Sequence, residues 1–392
     1  MAKAVYVGVG SKARKMKKAY IGIGGKARKV KKMYIGVGGK ARLCYSAEAA
    51  KFGTATPLSK YRTLLAGATV GGYALFGGGG YVKGEAIMDA YNASLTRTAA
   101  ASLSVARQGL TAITLGNHAL FVGGQSEFTP FGTVDVYDAS LTRTTATELS
   151  ISRYDSAAAV VGSYALFAGG RGRNGIFTMA QPAVDAYNTS LTRTTATPLP
   201  SKVYACAGGT VGGYAVFSGG SDINSDSTLV ETIGGMEMVR AYDSSLTSSQ
   251  AAPLSCHRAV HSAATIGNHL LFAGGYNDTT GKYLSTVESY DASLTRSTAV
   301  ELSSAKTALA SATVGEYAMF AGGYKGNSDA AYVATVDAYN TALTKTTMPD
   351  LSVGRHGLAS AVIGDYALFA GGISKISSTI DKYQDVVDVY SA

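Results

Sequence analysis

The residues of this 392-residue chain best suited to hold a ligand are those that break its internal regularity. Tyr154, Asp155, Arg171, Arg173, Tyr276, Tyr324 and Lys325 fall outside any repeating pattern, and Gln108, Tyr204, His261 and His356 closely follow recurring basic residues. Tyrosine, arginine and small polar side chains supply flat amphipathic area and adaptable hydrogen bonds, which is the chemistry of recognition rather than of bond breaking. The sharpest metal-like constellation is Cys256-His257 with His261. Its histidines share a face only if the segment is extended, and no carboxylate or second cysteine is near in sequence, so no metal centre is expected. His118 and His269 both stand in a Gly-Asn-His turn, a shared place that argues for structure. No set of nucleophile, base and acid emerges, so neither catalytic residues nor a cofactor are expected.

Those loop residues need a frame, and the frame is a repeat. Phe76, Phe121, Phe167, Phe217, Phe272, Phe320 and Phe369 are each followed two residues later by glycines, at intervals of 45, 46, 50, 55, 48 and 49 residues. Such a period suits a four-stranded blade, and seven such units predict an all-β, seven-bladed propeller. An apolar run such as Ala157–Gly162 and a two-residue turn precede each aromatic strand, the mark of a hairpin. An acid, a spacer and a tyrosine follow in Asp89/Tyr91, Asp135/Tyr137, Asp185/Tyr187, Asp337/Tyr339 and Asp388/Tyr390; Glu288/Tyr290 is conservative, and Arg240/Tyr242 breaks the acid. A turn rich in Asn, Asp and Ser then leads to a Thr-rich outer strand, giving strands a to d. The last unit stops after a c strand at Tyr390, while Lys51–Ser59 reads as a spare d strand. Pairing the two would close the ring and remove both free edges.

A basic residue about sixteen positions before the diglycine recurs as Arg62, Arg107, Arg153, Lys202, Arg258, Lys306 and Arg355. With the diglycines it makes residues 51 to 392 resemble the kelch repeats, although this chain has no tryptophan where kelch units usually carry one. A kelch copper oxidase would need a tyrosine crosslinked to cysteine and two histidine ligands, and nothing here assigns them. Units such as VDAYNTSLTRTTATPL and the YIGVGGKAR leader resemble structural proteins of phages and prophages of Gram-positive bacteria. In this reading the recurrent bases satisfy carbonyls of neighbouring blades, and the diglycines permit close strand approach rather than cradling phosphate. Asn92, Asn188 and Asn277 match the glycosylation triplet, but two of them occupy the repeated c-to-d turn, where Asn serves turn geometry.

Charge divides the chain. Residues 1–43 hold thirteen of the 35 Lys and Arg and none of the 26 acids, so the remainder carries 22 bases against 26 acids, a net of −4. The basic segment repeats every fourteen residues around Tyr6, Tyr20 and Tyr34, with Lys26, Arg28, Lys40 and Arg42 in GGKAR-like turns. Its alternation predicts short hairpins, too small to stand alone and expected to order against another subunit or protein. Patterned tyrosine and isoleucine favour docking on an assembly over nucleic-acid binding, which needs only charge. Three scattered cysteines give no disulfide framework, no apolar run approaches the ~20 residues of a membrane span, and no continuous apolar core marks a signal peptide.

These observations predict a basic anchor at 1–43 and a propeller at 44–392. The expected protein is a non-enzymatic virion component, assembled in the host cytoplasm and able to self-associate on the particle. It docks through its anchor on other virion proteins and binds a host surface glycan or protein through its loop face, without membrane insertion. A purely decorative virion protein and a carbohydrate-active kelch enzyme are the alternatives.

Overall fold

The computed structural model describes the backbone of 6–9, 12–15, 19–23, 26–30, 32–37 and 40–46, and then residues 51–80, 83–174, 177–222, 237–326, 331–377 and 380–391. Two compact units result, Met1–Lys51 and Phe52–Ser391. The first consists of antiparallel hairpins, Tyr6–Val9 with Lys12–Lys15, Ala19–Ile23 with Lys26–Val30, and Lys32–Val37 with Lys40–Ser46. Tyr6 faces Lys15 in register, Tyr20 faces Lys29 and Tyr34 faces Leu43, while Lys26, Arg28, Lys40 and Arg42 lie on the return strands. Their side chains, and that of Cys44, lie outside the described residues.

The second unit is a ring of seven four-stranded antiparallel sheets. Blade three shows the pattern: a is Ala157–Val161, b is Tyr164–Ala168, c is Val184–Asn188 and d is Arg193–Thr195. Strand a alternates buried and half-buried residues, whereas b and c are buried almost throughout because neighbouring blades cover both of their faces. The a strands touch their neighbours around the whole ring. Blade seven takes its d strand from Lys51–Thr54, so the ring closes as the sequence predicts.

Each Phe of strand b meets the Tyr of strand c edge to face, with centroids 5.6 to 5.9 Å apart in all seven blades. The same Tyr hydroxyl donates to a carbonyl on the linker arriving from the preceding blade, at 2.7 to 2.9 Å: Tyr91 to Thr56, Tyr137 to Ala101, and so on to Tyr390 and Pro349. The acid beside it completes the clamp. Asp185 accepts from Arg153 Nη1 (2.8 Å), from the Ser150 amide and hydroxyl, and from Arg193 Nη1 (2.9 Å). The inner pair recurs as Arg62–Asp89, Arg107–Asp135, Arg258–Glu288, Lys306–Asp337 and Arg355–Asp388, with the inner base buried every time. Lys306 shows why arginine is preferred. Its ammonium sits 3.6 Å from Asp337, and burial, only partly offset by that carboxylate, lowers it to about 8.

Two expectations need correction. The recurrent bases bond carbonyls of their own blade, as in Arg153 Nη2 to Phe167 O (3.0 Å), and their main partner is the c-strand acid. Nor does Lys202 take the buried seat; it is exposed, and Val203 is buried there. Blade four has exchanged the whole clamp: Val203 for the inner base, Arg240 for the acid, Pro200 for the serine and Ser248 for the outer arginine. Among the described residues of that blade no buried carboxylate is left to need donors, so their loss is consistent. In blade seven Phe52 stands at the outer-arginine position, packed 5.3 Å from Tyr390, and Asp388 Oδ1 accordingly lacks a partner.

The glycines and the Asn turns behave as the sequence suggests. Gly169 has φ +66°, and a Cβ there would lie 2.7 Å from the Val203 carbonyl oxygen of the next blade's linker. Asn92 Oδ1 caps its own turn, accepting from the Ser94 and Thr96 amides at 2.9 and 3.1 Å, and Asn188 does the same for Ser190 and Thr192.

Removing one partner of a buried pair strands the other. Asp185→Leu should cost about 3–5 kcal/mol in urea unfolding. Adding Arg153→Val, which installs the valine of blade four, should recover a substantial part of that loss.

Candidate functional site

The d-to-a linkers and b-to-c loops share one face. There the first residue after each diglycine pairs with a linker residue: Gln108 with Gln125, Tyr154 with Arg171, Tyr204 with Ser221, Ala259 with Tyr276, Thr307 with Tyr324 and His356 with Ile373. The next linker residue reaches the axis. Leu64, Gly109, Asp155, Ala205, Val260, Ala308 and Gly357 all have φ between 53° and 64°. Their amides and carbonyls are joined from blade to blade by six links of 2.9 to 3.2 Å, from Leu64 N to Gly357 O round to Ala308 N to Val260 O. That hydrogen-bonded girdle holds even a β-branched residue, Val260, in the left-handed region.

Inside the girdle is an axial cavity of about 440 Å³. A second ring of side chains lines it, one residue further along each linker: Leu65, Leu110, Ser156, Cys206, His261, Leu309 and Leu358. The leucines come from blades six, seven, one and two, and the polar residues from blades three, four and five. Asp155, Arg171 and Tyr204 also lie on that polar side. Arg171 is stacked 3.5 Å over the Tyr204 ring, which holds its guanidinium at the cavity edge. By area Asp155 is only half-buried, because the cavity exposes it, yet protein encloses its carboxyl, and this enclosure governs its titration. Burial raises it to about 6 against the pull of Arg171.

His261 sits where four other blades carry leucine. Its Nε2 is 2.9 Å from Ser218 Oγ, and its Nδ1 has no partner. Ser218 is fully buried at the end of strand b, a place held by Gly77, Val122, Ala168, Ala273, Ala321 and Ala370 in the other blades. Burial, with the charge of Arg258, lowers His261 well below the usual range, so the ring is neutral. Cys206, also on the wall, is buried and its thiol is pushed up to about 12, which removes it as a nucleophile at neutral pH.

A second feature lies on the same face across blades five to seven. Tyr276, Tyr283, Tyr324, Tyr332 and His356 form a continuous run of ring contacts at 5.1 to 5.9 Å, all half-buried. Tyr332 donates to Asp381 Oδ1 at 2.8 Å.

The structure thus gathers Asp155, Arg171, Tyr204 and His261 at the axial cavity, with Tyr154 paired behind Arg171, and Tyr276, Tyr324 and His356 in the aromatic belt. Gln108 is buried outside the cavity lining, Arg173 is exposed on the hairpin Arg171–Asn174 with Phe177–Ala180, and Lys325 is exposed beside Tyr324. Sequence reasoning missed Ser218, Tyr283, Tyr332 and Asp381. Aligning the seven units would have exposed Ser218 as the hydroxyl in a column of small apolar residues. The Cys256–His257 segment does not converge on His261. His257 Nδ1 bonds Thr279 (2.9 Å), Cys256 Sγ lies 3.9 Å from Arg258 Nη2, and no group of three metal-binding side chains occurs among the described residues.

Fold and face together define a seven-bladed propeller with one elaborated loop surface. A Kelch motif is matched over residues 257–293, which is blade five from the linker through strand c. Motif and ring together support the kelch-repeat propeller family, and with it a protein-binding or structural role. No curated protein matches the chain.

Two variants test the axis. Because Asp155 has its folded pKa raised, stability falls as pH climbs from about 4 to 6. Asp155→Asn, which also tolerates left-handed backbone, should stabilise by about 1–3 kcal/mol at pH 7.5 and by almost nothing at pH 4 in urea titrations. Val260→Gly should raise or leave unchanged the melting temperature, since relief of about 1 kcal/mol of backbone strain offsets the lost side chain.

Proposed function

We propose that the propeller is a non-catalytic recognition module whose loop face engages a glycan or protein on a host cell, and that the N-terminal segment docks it on a virion. The observation that carries the recognition half is the aromatic belt. Five half-buried rings from three blades lie in mutual contact, flat and amphipathic, and the strands beneath hold them rigid. The non-catalytic half is supported by the cavity wall, where the thiol of Cys206 is held protonated and His261 has no second polar partner to polarise it. The docking half is supported by thirteen bases and no acid in residues 1–43, spaced with tyrosine and isoleucine at a fixed period. Several copies on one particle would turn weak single contacts into avidity.

The test compares the full chain with a form beginning at residue 44, on intact host-type cells and on purified virions. Both forms should bind cells, and only the full chain should bind virions. Tyr283→Ala/Tyr324→Ala should weaken cell binding at least about tenfold with an unchanged melting temperature, since each stacked ring contributes about 1 kcal/mol. Particle attachment without cell binding by either form would leave decoration as the role.

A further inference from the structure

The axial cavity differs from the belt in kind. It is a recess at the ring axis, it is divided into a leucine half and a polar half, and its polar residues come from three consecutive blades while the other four repeat leucine. One of those polar residues, His261, is matched by a buried partner behind the wall. Ser218 and His261 replace small apolar residues and leucine at facing seats, and they hydrogen-bond each other at 2.9 Å. Packing alone is served by the apolar versions elsewhere in the ring, and the exchange puts a polar pair at the cavity wall in place of an apolar one.

The charges narrow that occupant. No hydrogen bond from the described residues reaches the Asp155 carboxylate, which therefore asks for donors. Arg171, stacked on Tyr204 close by, disfavours an ammonium, and Asp155 itself disfavours an anion. What suits both is a neutral molecule with several hydroxyls along one edge and an apolar face for Leu65, Leu110, Leu309 and Leu358. A sugar ring has that anatomy, and about 440 Å³ is room for one or two.

We propose that the axial cavity is a subsite for one neutral sugar ring, with Asp155 accepting its hydroxyls, His261 and Tyr204 bounding its polar edge, and the leucine half covering its C–H face. This rests on the reading of the loop face as a recognition surface and selects glycan over protein as its ligand.

The test is calorimetry and saturation-transfer NMR on the full chain with galactose, glucose and N-acetylglucosamine, and with acetate, methylamine and leucine as charged or zwitterionic probes. At least one sugar should bind in preference to all three charged probes. Asp155→Asn and the double variant Ser218→Ala/His261→Leu should each weaken it at least tenfold. The double variant installs residues already used at these seats in other blades, and a melting curve checks that it folds. The subsite is overturned if no sugar binds, if leucine or methylamine binds better, or if both cavity variants bind sugar like the parent. Cell binding without sugar binding sinks the subsite and keeps the recognition face; sugar binding without cell binding supports the subsite and sinks the host-surface reading.

Discussion

The ring depends on a carboxylate in the third strand of six of its blades. That group receives a buried base, a serine amide and usually a second, outer base, and so ties the linker from the preceding blade to the sheet that follows. A four-stranded blade has little core of its own; its faces are buried against its neighbours. The clamp therefore acts between blades, joining the linker of one to the third strand of the next. Blade four shows the condition for dispensing with it. Acid, inner base, serine and outer base are all absent together, and the tyrosine bond from Tyr242 to Thr197 (2.8 Å) remains.

This regularity explains why the fold could be read from the sequence. An interaction repeated at every blade leaves its residues at every period, so the Phe–Gly-Gly words, the acid–x–Tyr pairs and the spare strand at Lys51–Thr54 predicted the ring and its closure. The same logic misled at Lys202, where a nearby base was read into the repeat although Val203 occupies the seat. The partner of each base was misjudged because its acid lies some thirty residues away, on a strand whose register only the fold fixes.

The candidate site was only partly legible, for a related reason. Asp155 and Arg171 stood out as departures from the period and Tyr204 and His261 as followers of the recurring bases, and all four meet at the axis. Their common place depends on a girdle of left-handed residues whose types, from glycine to valine, share no sequence signature. Tyr283 and Tyr332 belong to loops of unequal length and join the belt only because rings from adjacent blades come within about 6 Å. A repeat builds a symmetric scaffold, and function is sought where symmetry fails: on the polar side of the cavity and along blades five to seven.

The claim that this loop face is where a ligand binds is tested most directly by hydrogen–deuterium exchange of the full chain with and without polysaccharide extracted from host-type cells. Exchange should slow at 154–155, 204–205, 260–261, 276–283, 324–326 and 331–332, with the a-to-b turns on the opposite face unchanged. Protection confined to that opposite face, or to residues 1–43, would contradict it.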